Sequence, residues 1–497
     1  MNALVKAMKA KENQTVTQNG MPASVSTTDT RLDFFYKVPS QRKTGFKSGK
    51  YQSFVSAYDS NPTDALRILF WLRDIRKGSG ERNSFQGIMN LAAQNGKFPA
   101  HLIQHIPEYG RWDDVLSLFN TPLEADAIYF YATALKEGNA LAAKWCPRLS
   151  GKHRSYAHKI RKALKLDPKS FRKLLAKSSK VVETKMCDAE WSDIDYSKVP
   201  SVAMSRYTAA FSRNDEDRFG KYVLDNEMNG KDLFPHDVMR MQKSGKVKDN
   251  MINAMWKALP NDVVAKDENV ISVVDTSASM TWTTISGIIT PMDVAISMGV
   301  YLSQRLKGAF KNHFISFNRD PQLIDIGDRT FTESASLMRN SRVGMNTDIE
   351  AVFKLILQTA LDGSVPAEDM PTKVVIFSDM QFDRCASNPD QSFMNMMSTR
   401  YQNAGYEMPR VIFWNLNAGS DSVSHADAGD RKATLVGGFS TRLMSTVFND
   451  TRIEETVEQV IEDGEVVEKV ISKVVQKTPL EMMEDVINSE RYSVISA

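Results

Sequence analysis

From about residue 31 to 260 the apolar positions recur at helical spacing. Ile68, Trp71, Leu72 and Ile75 fall at i, i+3, i+4 and i+7, one face of a helix. Asn61 followed by Pro62 makes a cap and a first helical position, and Gly78 and Gly80 are placed to end that helix. A second helix is expected from Glu81 to about Gln94. RWDDVLSLF, PLEADAIYFYATALKEG, RSYAHKIRKALKL, PKSFRKLLAK, PSVAMSRYTAAF and NDEDRFGKYVLDNEM continue the pattern, joined by short turns rich in Pro and Gly. With no strand pattern between them, these segments predict stacked antiparallel helix pairs. That is an all-α solenoid or HEAT-like helical repeat ring, although no exact repeat is visible.

The period changes near residue 268. ENVISVVDTSASM is a short buried strand run ending in small polar residues. An amphipathic helix from about Pro291 to Leu306, strand HFISFN, helix DIEAVFKLILQTAL and strands TKVVIFSD and RVIFWNLN follow. Apolar strands alternating with helices predict a doubly wound parallel sheet, so the fold class is α + α/β. Ligands on such sheets bind beyond the carboxyl ends of the strands. In the tail, TVEQVIEDGEVVEKVISKV places an Asp-Gly turn between alternating apolar and charged residues. A hairpin is the preferred reading there, and an acidic helix broken at Gly464 is the alternative.

These patterns divide the 497 residues into a flexible arm or extended tie (1–30, polar, few large apolar groups), a helical domain (31–265), an α/β domain (266–450) and a C-terminal hairpin or helix extension (451–497). No apolar run is long enough to span a membrane, and the N-terminus lacks a secretory pattern. The three cysteines, Cys146, Cys187 and Cys385, are far apart, which argues for a reducing, cytoplasmic setting and against a disulfide framework or structural zinc site. The net charge of +3 conceals an asymmetry. Residues 1–265 carry 42 Lys and Arg against 28 Asp and Glu, while residues 266–497 carry 21 against 32. The first half suits a polyanion; the second would repel one except where a cation intervenes.

The first α/β strand ends in Asp275-Thr-Ser277-Ala-Ser279. Alternate positions just past a strand end can aim three oxygens at one centre, and a hard cation such as Mg²⁺ takes oxygen ligands. Thr347 in GMNTD and Asp379 after VVIFS supply two further oxygens from loops at the same face. DxSxS alone is commonly an ordinary helix cap; the joint occurrence with Thr347 and Asp379 is what points to a metal. Ser378 and Asp348 sit beside these ligands and read as caps, with a supporting contact to the ligands as the alternative.

DTSASM, GMNTD and FSD resemble the metal-ion-dependent adhesion site (MIDAS) of the von Willebrand factor A (vWA) superfamily at all five ligand positions. FWLRDIRKGSGERNSF, YGRWDDVL and EWSDIDYSKVPSVAMSRYTAAFSRNDEDRF are similar to the TROVE module of the Ro ribonucleoprotein autoantigen and of TROVE-like proteins, closer to the uncharacterised branch. The resemblance spans roughly residues 31 to 450. It implies a helical-repeat ring closed by a vWA domain, with single-stranded RNA ends in the hole and small structured RNA on the outer surface. The acidic tail departs from that pattern.

Residues 148–185 hold 13 Lys and Arg and two acids, Asp167 and Glu183. Such density neutralises phosphates with little sequence preference. Lys159, Arg161, Lys162, Lys165, Arg172 and Lys173 are the candidate RNA contacts, with His153, Tyr156 and His158 placed to stack on bases; a solvated lysine-rich face is the plainer alternative. No P-loop, GxSxG elbow or HExxH helix occurs, and the 25 methionines follow helical faces as core filling. The expectation is therefore a non-catalytic RNA-binding scaffold with a metal face open to a partner's carboxylate. The alternative is a protein-interaction adaptor or assembly component with no RNA role.

Overall fold

The computed structural model describes residues 8, 11–42, 48–179, 181–225, 228–263, 268–282, 284–285, 287–317, 320–340, 347–385, 393–417, 423–462 and 465–497. Between Thr30 and Lys257 every regular element among the described residues is helical. Helix Pro62–Arg73 begins where the sequence places it: the Asn61 side chain accepts the Asp64 N–H and Pro62 occupies the first turn. Its inner face buries Ile68, Trp71 and Leu72, with Trp71 stacked on Phe35 at 4.0 Å. The helix stops at Arg73, short of Ile75. Asp74 ends it, because its carboxylate is taken by the Arg491 guanidinium, the Tyr492 hydroxyl and the Arg76 N–H.

Residues 13–28, read as an arm or tie, form a small hairpin of β1 (Gln14–Val16) and β2 (Pro22–Ser24) that lies against the C-terminal half. That half is built on a six-stranded sheet. Its strands are β3 (Val270–Asp275), β4 (His313–Phe317), β5 (Leu323–Asp325), β6 (Lys373–Ser378), β7 (Arg410–Asn415) and β8 (Ala433–Gly437). The order is β5-β4-β3-β6-β7-β8, parallel throughout except for β5. The sheet is thus mixed, with an antiparallel edge that the expectation of a purely parallel sheet lacked. β5 is three residues long and half exposed, so it carries no apolar run to announce it. From β3 the chain winds outward to β4 and β5, then returns to β6 on the other side of β3. The strand order therefore reverses between β3 and β6.

The α/β unit holds both ends of the helical half. Helix Thr30–Lys37 packs on β8 so closely that a Cβ at Gly437 would come within 1.8 Å of the Tyr36 carbonyl oxygen. At the other end Trp256 stacks on Phe331 at 3.8 Å, and Asp293 pairs with Lys243 and Arg339. β9 (Thr451–Glu462) and β10 (Glu465–Gln476) form a separate antiparallel hairpin, after which helix Pro479–Ile487 returns to the first helices.

Candidate metal centre

β3 is buried along its whole length, and its last residue, Asp275, is fully buried. Because β3 and β6 pair in parallel register, Asp275 ends up opposite the end of β6. There Ser378 donates its hydroxyl to Asp275 Oδ2 at 2.5 Å, and the Ser277 N–H donates to Oδ1 at 2.8 Å. Ser277 and Ser279 share a hydrogen bond at 2.9 Å between their hydroxyls, and the Asp379 carboxylate lies close enough for its charge to act on Asp275. Four of the five expected ligands, Asp275, Ser277, Ser279 and Asp379, are therefore gathered at the reversal point of the sheet, where ligands of such folds bind.

Thr347 reaches the same loops by another route. Its hydroxyl donates to the Gln381 carbonyl at 2.8 Å, and its N–H to Asp383 at 2.8 Å, so it is anchored two residues beyond Asp379 and not on the Asp275 loop. The residues just before it, 341–346, lie outside the described residues. Asp348 caps helix Ile349–Asp362 through the Ala351 N–H, as expected. Ser378 does more than cap, since it binds Asp275 directly.

Burial drives the Asp275 carboxyl up to about 7, and the neighbouring Asp379 charge adds to it; hydrogen bonds from Ser378 and Ser277 pull it partly back. Asp379 is raised by burial as well. Two buried carboxylates that oppose each other's ionisation, ringed by hydroxyls, form a hard oxygen donor set, which suits a divalent cation of the Mg²⁺ class. Among the described residues no three His, Cys, Asp or Glu side chains form a metal-holding group, so carboxylates alone would not complete this centre.

Several supporting residues carry no sequence signal. Met380 adopts φ of 65°, a left-handed conformation that a non-glycine residue occupies at a cost. The turn brings the Gln381 N–H back to Asp379 Oδ1 at 3.1 Å, while half-buried His425 faces the Met380 carbonyl through Nε2 at 3.0 Å. Asn19 of the N-terminal hairpin donates to the Thr347 hydroxyl at 3.0 Å and to the Gln381 carbonyl at 2.7 Å. Asn19 belongs to a stretch whose composition reads as solvated arm.

The basic segment folds into helices Arg154–Ala163 and Pro168–Ser178. Lys162, Lys165, Arg172 and Lys173 are exposed. Lys159 and Arg161 are used internally: Lys159 pairs with Glu124 at 2.7 Å, and Arg161 donates to the Leu166 carbonyl. His158 is exposed, whereas His153 stacks on Tyr156, which leans on Phe119.

The chain is similar to two families. One, described as a domain of unknown function (DUF7788), matches residues 269–487, starting just before β3. The other, also described as a domain of unknown function (DUF2828), matches residues 17–106 and 149–270, which take in β2 and most of the helical half. The chain is also 26% identical, over 496 residues, to uncharacterized protein L728 of Acanthamoeba polyphaga mimivirus, covering 88% of this chain and 85% of that one.

Proposed function

We propose that this protein is a non-catalytic scaffold: a TROVE-like ring of HEAT-like helices closed by a vWA-type domain whose metal face recognises a ligand. The observation that carries the reading is the closeness of Asp275 and Asp379 across the β3–β6 reversal, with Ser277 and Ser279 hydrogen-bonded to each other on the Asp275 loop. A bound Mg²⁺ or similar cation would draw on Asp275, Ser277, Ser279 and Asp379, with Thr347 approaching from the adjacent loop. It would supply a positive centre for a carboxylate of a partner protein. Ligation by hydroxyls suits holding a ligand more than generating a nucleophilic water. The contact of both ends of the helical half with the α/β unit is what a closed ring requires. RNA binding rests on the exposed Lys162, Lys165, Arg172 and Lys173, within the half of the chain that is rich in Lys and Arg. Among the described residues no helix is long and apolar enough to cross a membrane.

The reading is tested by titrating Mg²⁺ or Mn²⁺ calorimetrically into the full chain and into Asp275→Ala. Binding by the parent chain and its loss in a variant with an unchanged helical circular-dichroism signal support it. Equal binding by both rejects the assignment. A protein-interaction adaptor without RNA is the second reading, favoured by the internal use of Lys159 and Arg161, which thins the basic patch. Copurifying RNA that high salt removes decides against it.

A further inference from the structure

A cavity of about 300 Å³ lies where the helical half faces the α/β unit. The Ile75–Asn83 turn and the start of helix Pro235–Ser244 contribute from one side. Ile285, Ile289 and Phe439 contribute from the other. Two buried nitrogens on its lining side chains have neither a hydrogen-bond nor an ion-pair partner, Arg240 Nε and His236 Nδ1, and a third, Arg42 Nε, has only a long ion pair of 3.5 Å with Glu81. Buried polar atoms are rarely left unpaired, and two on one cavity, one of them on the buried His236, point to a ligand there. His236 is 5% exposed, stacked on Phe234 with 13° between the rings and set edge-on to the Phe439 ring at 5.9 Å.

The other valences of these groups are spent. Arg42 donates to the Ser79 carbonyl at 2.7 Å and lies over the Phe439 ring at 4.6 Å. Arg240 donates to Asp237 at 2.7 Å. The carboxylates of Glu81, Asp232 and Asp237 also line the cavity; Glu81 Oε2 stands 3.5 Å from Arg42 Nε, and Glu81 and Asp237 serve helix starts as well. Glu81 accepts the Ser84 N–H at 2.9 Å, and Asp237 accepts the Phe234 N–H at 3.0 Å. What the walls still offer is guanidinium N–H, one imidazole nitrogen and the apolar surface of Ile75, Val202 and Ile289.

Guanidinium edges recognise phosphate and carboxylate oxygens, and phosphate, with a hydroxyl when singly protonated, can also donate to the bare imidazole nitrogen. The apolar walls suit a compact body. A volume of this size is at the small end of ligand pockets and excludes dinucleotides. We infer that the cavity binds a phosphate monoester of mononucleotide size, its phosphate held by Arg42, Arg240 and His236. The inference does not depend on the metal centre or on the basic helices.

The test is calorimetric titration of AMP, UMP and inorganic phosphate into the full chain, repeated on Arg240→Gln and Val202→Trp. Arg240 is partly exposed and Val202 is 42% exposed, so neither change should prevent folding, which circular dichroism checks. A mononucleotide should bind more tightly than inorganic phosphate. Arg240→Gln should weaken it about tenfold or more, as loss of a charged hydrogen bond does, and Val202→Trp should block it sterically. Competition by a short single-stranded RNA separates two sources of the same ester: displacement of the nucleotide identifies a strand terminus, and no displacement a free nucleotide. Absence of binding by any of the three probes overturns the inference, as does binding that both variants leave unchanged.

Discussion

The Asn19 side-chain amide donates to the Thr347 hydroxyl at 3.0 Å, across 328 positions of sequence. The same amide holds the Gln381 carbonyl, and the Arg384 N–H in turn donates to the Asn19 carbonyl at 3.1 Å. The N-terminal hairpin thus ties down the loop that follows Asp379. A hydroxyl that accepts a hydrogen bond from Asn19 has one lone pair fewer for a cation. Asn19→Ala should therefore tighten Mg²⁺ binding several-fold, the scale of one neutral hydrogen bond of about 1 kcal/mol. Calorimetry on the variant reads this. Weaker binding would mean instead that Asn19 positions Thr347 for the metal.

The buried Asp275 carboxyl sets the pH dependence of the same centre. Its folded value of about 7 lies above the ordinary 3.8, so between these values the folded, metal-free chain holds a proton that the unfolded chain releases. Metal-free stability should accordingly fall as pH rises through that window. A cation needs the ionised form, so Mg²⁺ affinity should drop about tenfold per pH unit below about 7 and level off above it. Affinity that is flat across the window would place the bound metal elsewhere.

How much of this was legible depends on whether a residue's partner is near in sequence. β3 and β6 announce themselves as apolar runs that end in Asp275 and in Ser378-Asp379, and a parallel pairing then brings those ends together. Asn61 and Pro62 show where their helix begins, because a cap is a local interaction. They cannot show where it ends, because Asp74 is claimed by Arg491 and Tyr492 from the far end of the chain. Asn19 and His425 escape for the same reason. In the basic segment the number of charges is legible, but Arg161 turning back to the Leu166 carbonyl is a matter of side-chain direction that charge density does not encode.

The clasp at Asp74 yields a stability prediction. Asp74 is fully buried, and the Tyr492 ring stacks on Tyr109 at 5.7 Å beside it. Arg491→Ala would leave the carboxylate with a hydroxyl and a backbone N–H, at a cost of about 3 kcal/mol, as for breaking one side of a buried pair. Tyr492→Phe, which keeps the ring and the charge pair, should cost about 1 kcal/mol. Urea denaturation compares them. An Arg491→Ala cost no larger than that of Tyr492→Phe would show that the tail contributes packing alone.

The exposed lysines and arginines of helices Arg154–Ala163 and Pro168–Ser178 test the RNA reading, and the paired ones serve as their control. Lys162, Arg172 and Lys173 project into solvent, so reversing all three to Glu should leave the fold intact. If these side chains meet phosphates, affinity for single-stranded RNA should fall for every sequence. The slope of log affinity against log salt should shrink by about 0.7 per lost contact. Lys159→Glu behaves differently, because it sets two acids, residue 159 and Glu124, against each other where an ion pair of 2.7 Å now stands. Its main effect should be a loss of stability below about 1 kcal/mol. Fluorescence titration of a short RNA at several salt concentrations, with thermal melts of each variant, separates the two. An unchanged affinity and slope in the triple variant would remove these helices from the RNA surface and move the contact to the ring interior or the N-terminal hairpin, whereas no RNA binding by the parent chain would leave the adaptor reading standing.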